Sequence, residues 1–91
     1  AVAVGGHLAE LSVKKQILCI THLASIAARA DNHLVVSKNA GTERTTTIVG
    51  RIEGQERVQE IARMLSGDQE SRASLEHASE LVQKLGRTRG R

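Results

Sequence analysis

The heptapeptide QILCITH, residues 16–22, sets four consecutive apolar side chains, Ile17, Leu18, Cys19 and Ile20, between a polar lead and a polar close. Lys14, Lys15 and Gln16 precede the run, and Thr21 and His22 end it. Apolar residues without alternation suit a strand buried on both faces, as in a parallel sheet covered by helices. Ligands of open α/β sheets collect beyond the carboxyl ends of such strands. His22 stands at that end, just ahead of a helical pattern. By position alone, a histidine there is more often a hydrogen-bonded structural residue than a functional one.

Upstream, residues 2–11 read as a helix with Val4, Leu8 and Leu11 on one face. Gly5 and Gly6 within it cost about 1 kcal/mol each relative to alanine, so this helix should lean on its neighbours. Residues 12–15 are the turn into the strand. Downstream, residues 23–30 are alanine-rich and helical in spacing, with Thr21 as the expected N-cap. Residues 33–38 and 44–52 read as the two strands of an antiparallel hairpin, turning at Asn39-Ala40-Gly41. Lys38 and Arg44 near its tip read as solvated. Residues 53–65 form the clearest helix, with Val58, Ile61, Ala62 and Leu65 inward and Glu56, Arg57, Gln59, Glu60 and Arg63 outward. Ser66-Gly67 ends it. A last helix, residues 71–85, carries Leu75, Ala78, Val82 and Leu85 on one face, and His7 and His77 fall off the apolar stripes of their helices.

Ninety-one residues make at most one small domain. A core without a single aromatic residue must be built from Leu, Ile, Val and Ala, and should be only marginally stable by itself. The chain opens at Ala1, without a methionine and inside a helical pattern, so a piece of a larger domain is expected. Net charge is +3, but the terminal GRTRGR, residues 86–91, supplies Arg87, Arg89 and Arg91. Without that tail ten basic residues face ten acidic ones, so the folded part is electrically balanced. The absence of Phe, Tyr and Trp removes the usual stacking platform for single-stranded nucleic acid. A single cysteine excludes an internal disulfide and points to a reducing cytoplasm. No apolar run approaches the length of a membrane span.

Three chemistries bear on these residue types. Cys19, His22 and His33 have the residue types of a metal set, but in an extended chain Cys19 and His22 point to opposite faces, and a second cysteine is lacking. Nucleophile catalysis has no G-x-S-x-G elbow, and a mid-strand Cys19 in apolar surroundings should be inert. Nucleotide hydrolysis lacks a G-x-x-x-x-G-K-[ST] loop and an acidic pair for magnesium, so the chain could carry only one component of such a site.

The run KKQILCITHLASIAARADNH (residues 14–33), the VSK ending the next strand (residues 36–38) and ERVQEIARML (residues 56–65) occur in an order that resembles the C-terminal ATPase head of the RecN family. These are bacterial DNA-repair proteins related to the SMC group of ATP-binding-cassette ATPases. The resemblance runs from about Val2 to Leu85. It implies that Thr21-His22-Leu23 is the motif ending the strand after the Walker B strand, with His22 as the switch (H-loop) histidine that contacts the γ-phosphate of ATP. The Walker A loop, the Walker B acids and the D-loop would then lie upstream of Ala1.

The expected fold is thus an α/β fragment of a P-loop NTPase head of the ABC/SMC-like kind. It comprises a buried parallel strand and a β-hairpin flanked by helices, with residues 1–85 as the C-terminal lobe and residues 86–91 as a flexible basic tail. By the resemblance, ATP and Mg²⁺ serve the intact protein and neither is expected to be held by this chain alone. The implied partners are the remainder of its own head, a second head in an ATP-dependent dimer, and DNA in the intact cytoplasmic, nucleoid-associated protein, with no membrane. Two readings from other classes stand beside it: a self-contained nucleic-acid-binding module using the arginine tail, and an oligomerisation module presenting the 75/78/82/85 stripe.

Overall fold

The computed structural model describes residues 2–41 and 43–86. Six elements follow in order: α1 (Val2–Ser12), α2 (Ala24–Ala27), β1 (His33–Ala40), β2 (Thr45–Ile52), α3 (Gln55–Ser66) and α4 (Arg72–Leu85). The α/β character and the antiparallel hairpin agree with the sequence reading. β1 and β2 pair from His33 with Ile52 through Val36 with Val49 to Ala40 with Thr45. This register places Leu34, Val36, Val49 and Arg51 on one face, and His33, Val35, Ile48 and Ile52 on the other. The first of these faces is solvent-exposed at Leu34, Val36 and Val49, and Ile48 on the second is exposed too. At the tip, the Gly41 amide donates to the Arg44 carbonyl at 3.0 Å.

The core lies where α2, α3 and α4 meet. It consists of Ala24, Ala27, Ala28, Ile61, Ala62 and Ala78, with Val58, Met64, Leu75, Leu81, Val82 and Leu85 packed around it. Alanines let the helices approach closely, and Ile61 is the one large side chain fully buried among the described residues. α3 ends at Gly67, whose φ of 78° is the left-handed turn that glycine adopts without a Cβ penalty; its amide donates to Arg63 O at 2.7 Å. In the link to α4, Asp68 Oδ1 accepts from the amides of Glu70 (2.9 Å) and Ser71 (3.0 Å), and Ser71 Oγ accepts from Ser74 N at 3.1 Å as the N-cap of α4. At the far end of α4, a Cβ on Gly86 would lie 2.6 Å from Val82 O and 3.3 Å from Ala28 O, so only glycine lets α4 close against α2.

Three expectations need correction. The buried parallel strand over residues 16–22 is not formed: the segment is extended and lacks a ladder, since the one sheet among the described residues has two strands, β1 and β2. Leu18 is 83% exposed and Ile20 97%. A parallel strand takes its hydrogen bonds from neighbours on both sides and its burial from helices on both faces, and the described residues supply neither. The helix expected over residues 23–30 is a single turn, and Thr21 is not its cap. Thr21 Oγ1 accepts from Leu23 N at 2.9 Å, while Leu23 occupies the N-cap position without a side-chain bond.

The third correction concerns α1. Its expected inward face is open, with Val4 and Leu11 exposed, and it packs instead through Gly5. A Cβ on Gly5 would come within 3.0 Å of Arg29 Cδ and 3.3 Å of Ser25 O, and one on Gly6 within 3.6 Å of the Arg29 guanidinium. The two glycines are the seat of Arg29. From Arg87 onward, the basic tail lies outside the described residues.

Candidate functional site

His22 is solvent-exposed at the bend between the extended segment and α2. Its geometry is set by its neighbours. The Thr21 hydroxyl holds the Leu23 amide, and the Leu23 carbonyl accepts from Ile26 N (3.1 Å) and Ala27 N (3.0 Å), opening α2. His22 borders an open cavity of about 960 Å³. Ile17, Leu18 and Ile20 form one wall, Leu34, Val36 and Val49 of the hairpin another, and Arg29, Glu60 and Arg63 add charge. A cavity with apolar walls and a few convergent polar groups is the usual form of a binding site. Cys19 also borders it as an exposed free thiol, contrary to the buried, inert position expected for it. Among the described residues no group of three His, Cys, Asp or Glu side chains is placed to hold a metal ion.

Behind α2 lies a polar cluster that the sequence reading turned to solvent. Arg57, assigned above to the outside of α3, reaches inward instead. Its Nη2 lies 3.2 Å from Ala27 O, 3.0 Å from Ala28 O and 2.8 Å from Ala30 O. One guanidinium nitrogen carries two hydrogens, so three carbonyls share them. They lie at and just beyond the C-terminus of α2, where helical carbonyls run short of backbone donors, although Ala27 O also accepts from Ala30 N at 3.1 Å. Burial lowers the Arg57 pKa and the nearby Asp31 carboxylate raises it; a guanidinium stays charged nonetheless.

His33, the first residue of β1, is only 8% exposed, and its Nδ1 has no hydrogen-bond partner. Burial lowers its pKa below the ordinary 6.5, the Arg57 charge lowers it further, and Glu60 opposes both. Glu60 and Arg63 form a two-pronged ion pair at 2.8 and 2.6 Å, and that hydrogen bonding holds the Glu60 carboxyl below its usual range. The sequence signal for Arg57 was its spacing: four residues before Ile61, it belongs to the buried stripe of α3. Of the residues singled out beforehand, the structure brings Cys19, His22 and His33 to one cavity, and His77 is exposed on α4.

No family model matches the chain. Several curated proteins do. The DNA repair protein RecN of Treponema pallidum (strain Nichols) is 52% identical over 89 residues, which is 98% of this chain and 16% of that protein. The RecN of Deinococcus radiodurans is 50% identical over 82 residues (90% of the chain, 14% of the relative), and that of Bacillus subtilis (strain 168) 40% over 84 residues (92% and 15%). This chain belongs to the RecN family. It spans about a sixth of the length of these relatives, so its place is that of one segment of a RecN-type protein. No helix among its described residues is long and apolar enough to cross a membrane.

Proposed function

We propose that this RecN-family chain is the C-terminal part of an SMC-like ATPase head of the P-loop NTPase class, and that His22 is its switch histidine. The intact protein would act in recombinational repair of DNA double-strand breaks in the cytoplasm, on nucleoid DNA, through ATP-dependent pairing of two heads. The observation that carries the reading is the place of Thr21-His22-Leu23. It ends an extended apolar segment whose backbone has no ladder, at the rim of an open apolar cavity, in a chain matching RecN over nearly its whole length. Exposed contiguous apolar surface of this kind marks an interface. On this reading the rest of the head supplies the strands that pair with residues 16–20.

The residues present fit a nucleotide in one respect only. An exposed imidazole at the cavity rim can donate one N–H to a γ-phosphate oxygen while its other nitrogen takes a proton or a partner. Nothing in this chain cradles the other phosphates or holds Mg²⁺, a task left to the upstream Walker motifs. Bound ATP with Mg²⁺ supplies a phosphoryl group whose transfer depends chiefly on positioning and on stabilised oxygen charge. His22 contributes a fixed donor that matters more in the transition state than in the ground state.

The test is His22→Ala in the whole protein. Turnover should fall on the order of 10²–10³-fold, with nucleotide affinity little changed. His77→Ala, on the exposed side of α4, should match the parent. A normally folded His22→Ala protein hydrolysing ATP at the parental rate would make His22 structural and end this reading.

A further inference from the structure

We infer that Arg57 is the positioning residue of this site: through the carbonyls at the end of α2, it fixes where His22 stands. The inference rests on the assignment of His22 above and adds a residue to it. The path is short and consists of direct contacts. Arg57 Nη2 reaches Ala27 O, Ala28 O and Ala30 O. Ala28 N donates to Ala24 O at 2.8 Å and Ala27 N to Leu23 O at 3.0 Å, so one helical turn joins the anchored carbonyls to the residue following His22. The Leu23 amide is held in turn by Thr21 Oγ1. The Leu23 carbonyl, next after His22, therefore belongs to a turn whose far end Arg57 grips.

Beside the seat of Arg29 on Gly5 and Gly6 of α1, the Arg57 hydrogen bonds are what tie the end of α2 to α3. α2 has only four residues, too few to be a stable helix by itself, and its N-cap position makes no side-chain bond. Ala24, Ala27 and Ala28 bury one side of it against Ile61 and Ala62. Methyl contacts of this kind resist separation but oppose sliding weakly, whereas a charged donor shared by three carbonyls fixes both height and rotation. Arg57 is itself held in place. It stands one turn before Ile61 on α3, half-buried, and the Asp31 carboxylate acts on its charge. The imidazole thus lies between two anchors, the strand neighbours proposed for residues 16–20 and the α3 arginine. A small misplacement of a catalytic group costs large factors in rate.

The experiment uses the whole protein and measures steady-state ATP hydrolysis, Mg-ATP affinity and Tm for Arg57→Gln, Arg57→Lys, His22→Ala and Arg57→Gln/His22→Ala. Turnover of Arg57→Gln, counted per nucleotide-binding site so that an unfolded fraction does not enter, should fall about ten- to a hundredfold with affinity unchanged. Arg57→Lys keeps the charge but not the planar fork, and should lose turnover in the same sense, to a smaller extent. It carries the test if the glutamine variant does not fold. The double variant should be no slower than His22→Ala alone, because an arginine that acts through His22 has nothing left to position. Parental turnover in both arginine variants, an equal loss of affinity and turnover, or multiplying losses in the double variant would each overturn the inference. A parental rate in His22→Ala would instead remove the histidine assignment on which it rests.

Discussion

His33 at the start of β1 lies near enough to Arg57 of α3 to feel its charge. Arg57 is permanently charged and its Nη2 is committed to three carbonyls, so its charge stays near His33 and disfavours the protonated imidazole. Burial and the Arg57 charge lower the imidazole pKa below 6.5, Glu60 only partly offsets them, and Asp31 acts on the arginine. The unfolded chain takes up the proton first as pH falls, so His33 favours the folded state above pH 6.5 and loses that contribution as pH drops below it. Glu60, held low by Arg63, acts in the same direction at more acidic pH, as pH falls below the ordinary 4.5. In the 91-residue chain, NMR titration should place the His33 midpoint below 6.5. Tm should fall between pH 7 and pH 5.5, and fall less in His33→Gln. A midpoint at or above 6.5 would mean that Glu60 outweighs Arg57.

At the scale of elements, what could be read from sequence follows how local the determining interactions are. The hairpin and the two long helices were legible because β-branched runs, turn residues and 3.6-residue periodicity act within a few positions of themselves. The start of the last helix near Ser71 belongs to this group, and the structure adds its cap: the Ser71 hydroxyl accepts from Ser74 N, and the Asp68 carboxylate organises the preceding turn. Ser71→Ala should cost about 1 kcal/mol, or roughly 4–8 °C in Tm for a domain of this size. Thermal unfolding followed by circular dichroism would show it, and an unchanged Tm would mean that α4 does not need this cap. The missed features depend on distant partners. A strand over residues 16–22 would require neighbouring strands, and the described residues provide none. Arg57 makes its contacts 27–30 positions away, which helical periodicity cannot encode beyond placing it beside Ile61. His22 was legible as a site candidate because its motif is contiguous, whereas the arginine behind it was not. The Gly5-Gly6 pair, costly for a helix, became intelligible only once Arg29 was seen lying across it.

At the scale of the whole molecule, the distribution of apolar surface fits the proposal that this chain is one lobe of a larger head. Its buried residues are mostly alanines, while Leu18, Ile20, Val36 and Val49 line or flank one open cavity and stay exposed. A domain that stood alone would bury such residues first, since each fully buried aliphatic side chain is worth about 1.5–3 kcal/mol. The division of chemistry agrees with the division of surface. His22 offers a donor, but no phosphate-cradling loop and no magnesium-binding acidic pair accompany it in these 91 residues. One imidazole interacting with a solvated triphosphate cannot offset the entropy lost on binding. The purified 91-residue chain, titrated with Mg-ATP by calorimetry, should therefore show no saturable binding in the micromolar range and no hydrolysis. The same His22 in the whole protein should matter greatly for turnover. Micromolar binding by the chain alone would mean that the cavity beside His22 is a nucleotide site in its own right. His22 would then belong to a self-contained module rather than to one lobe of a head.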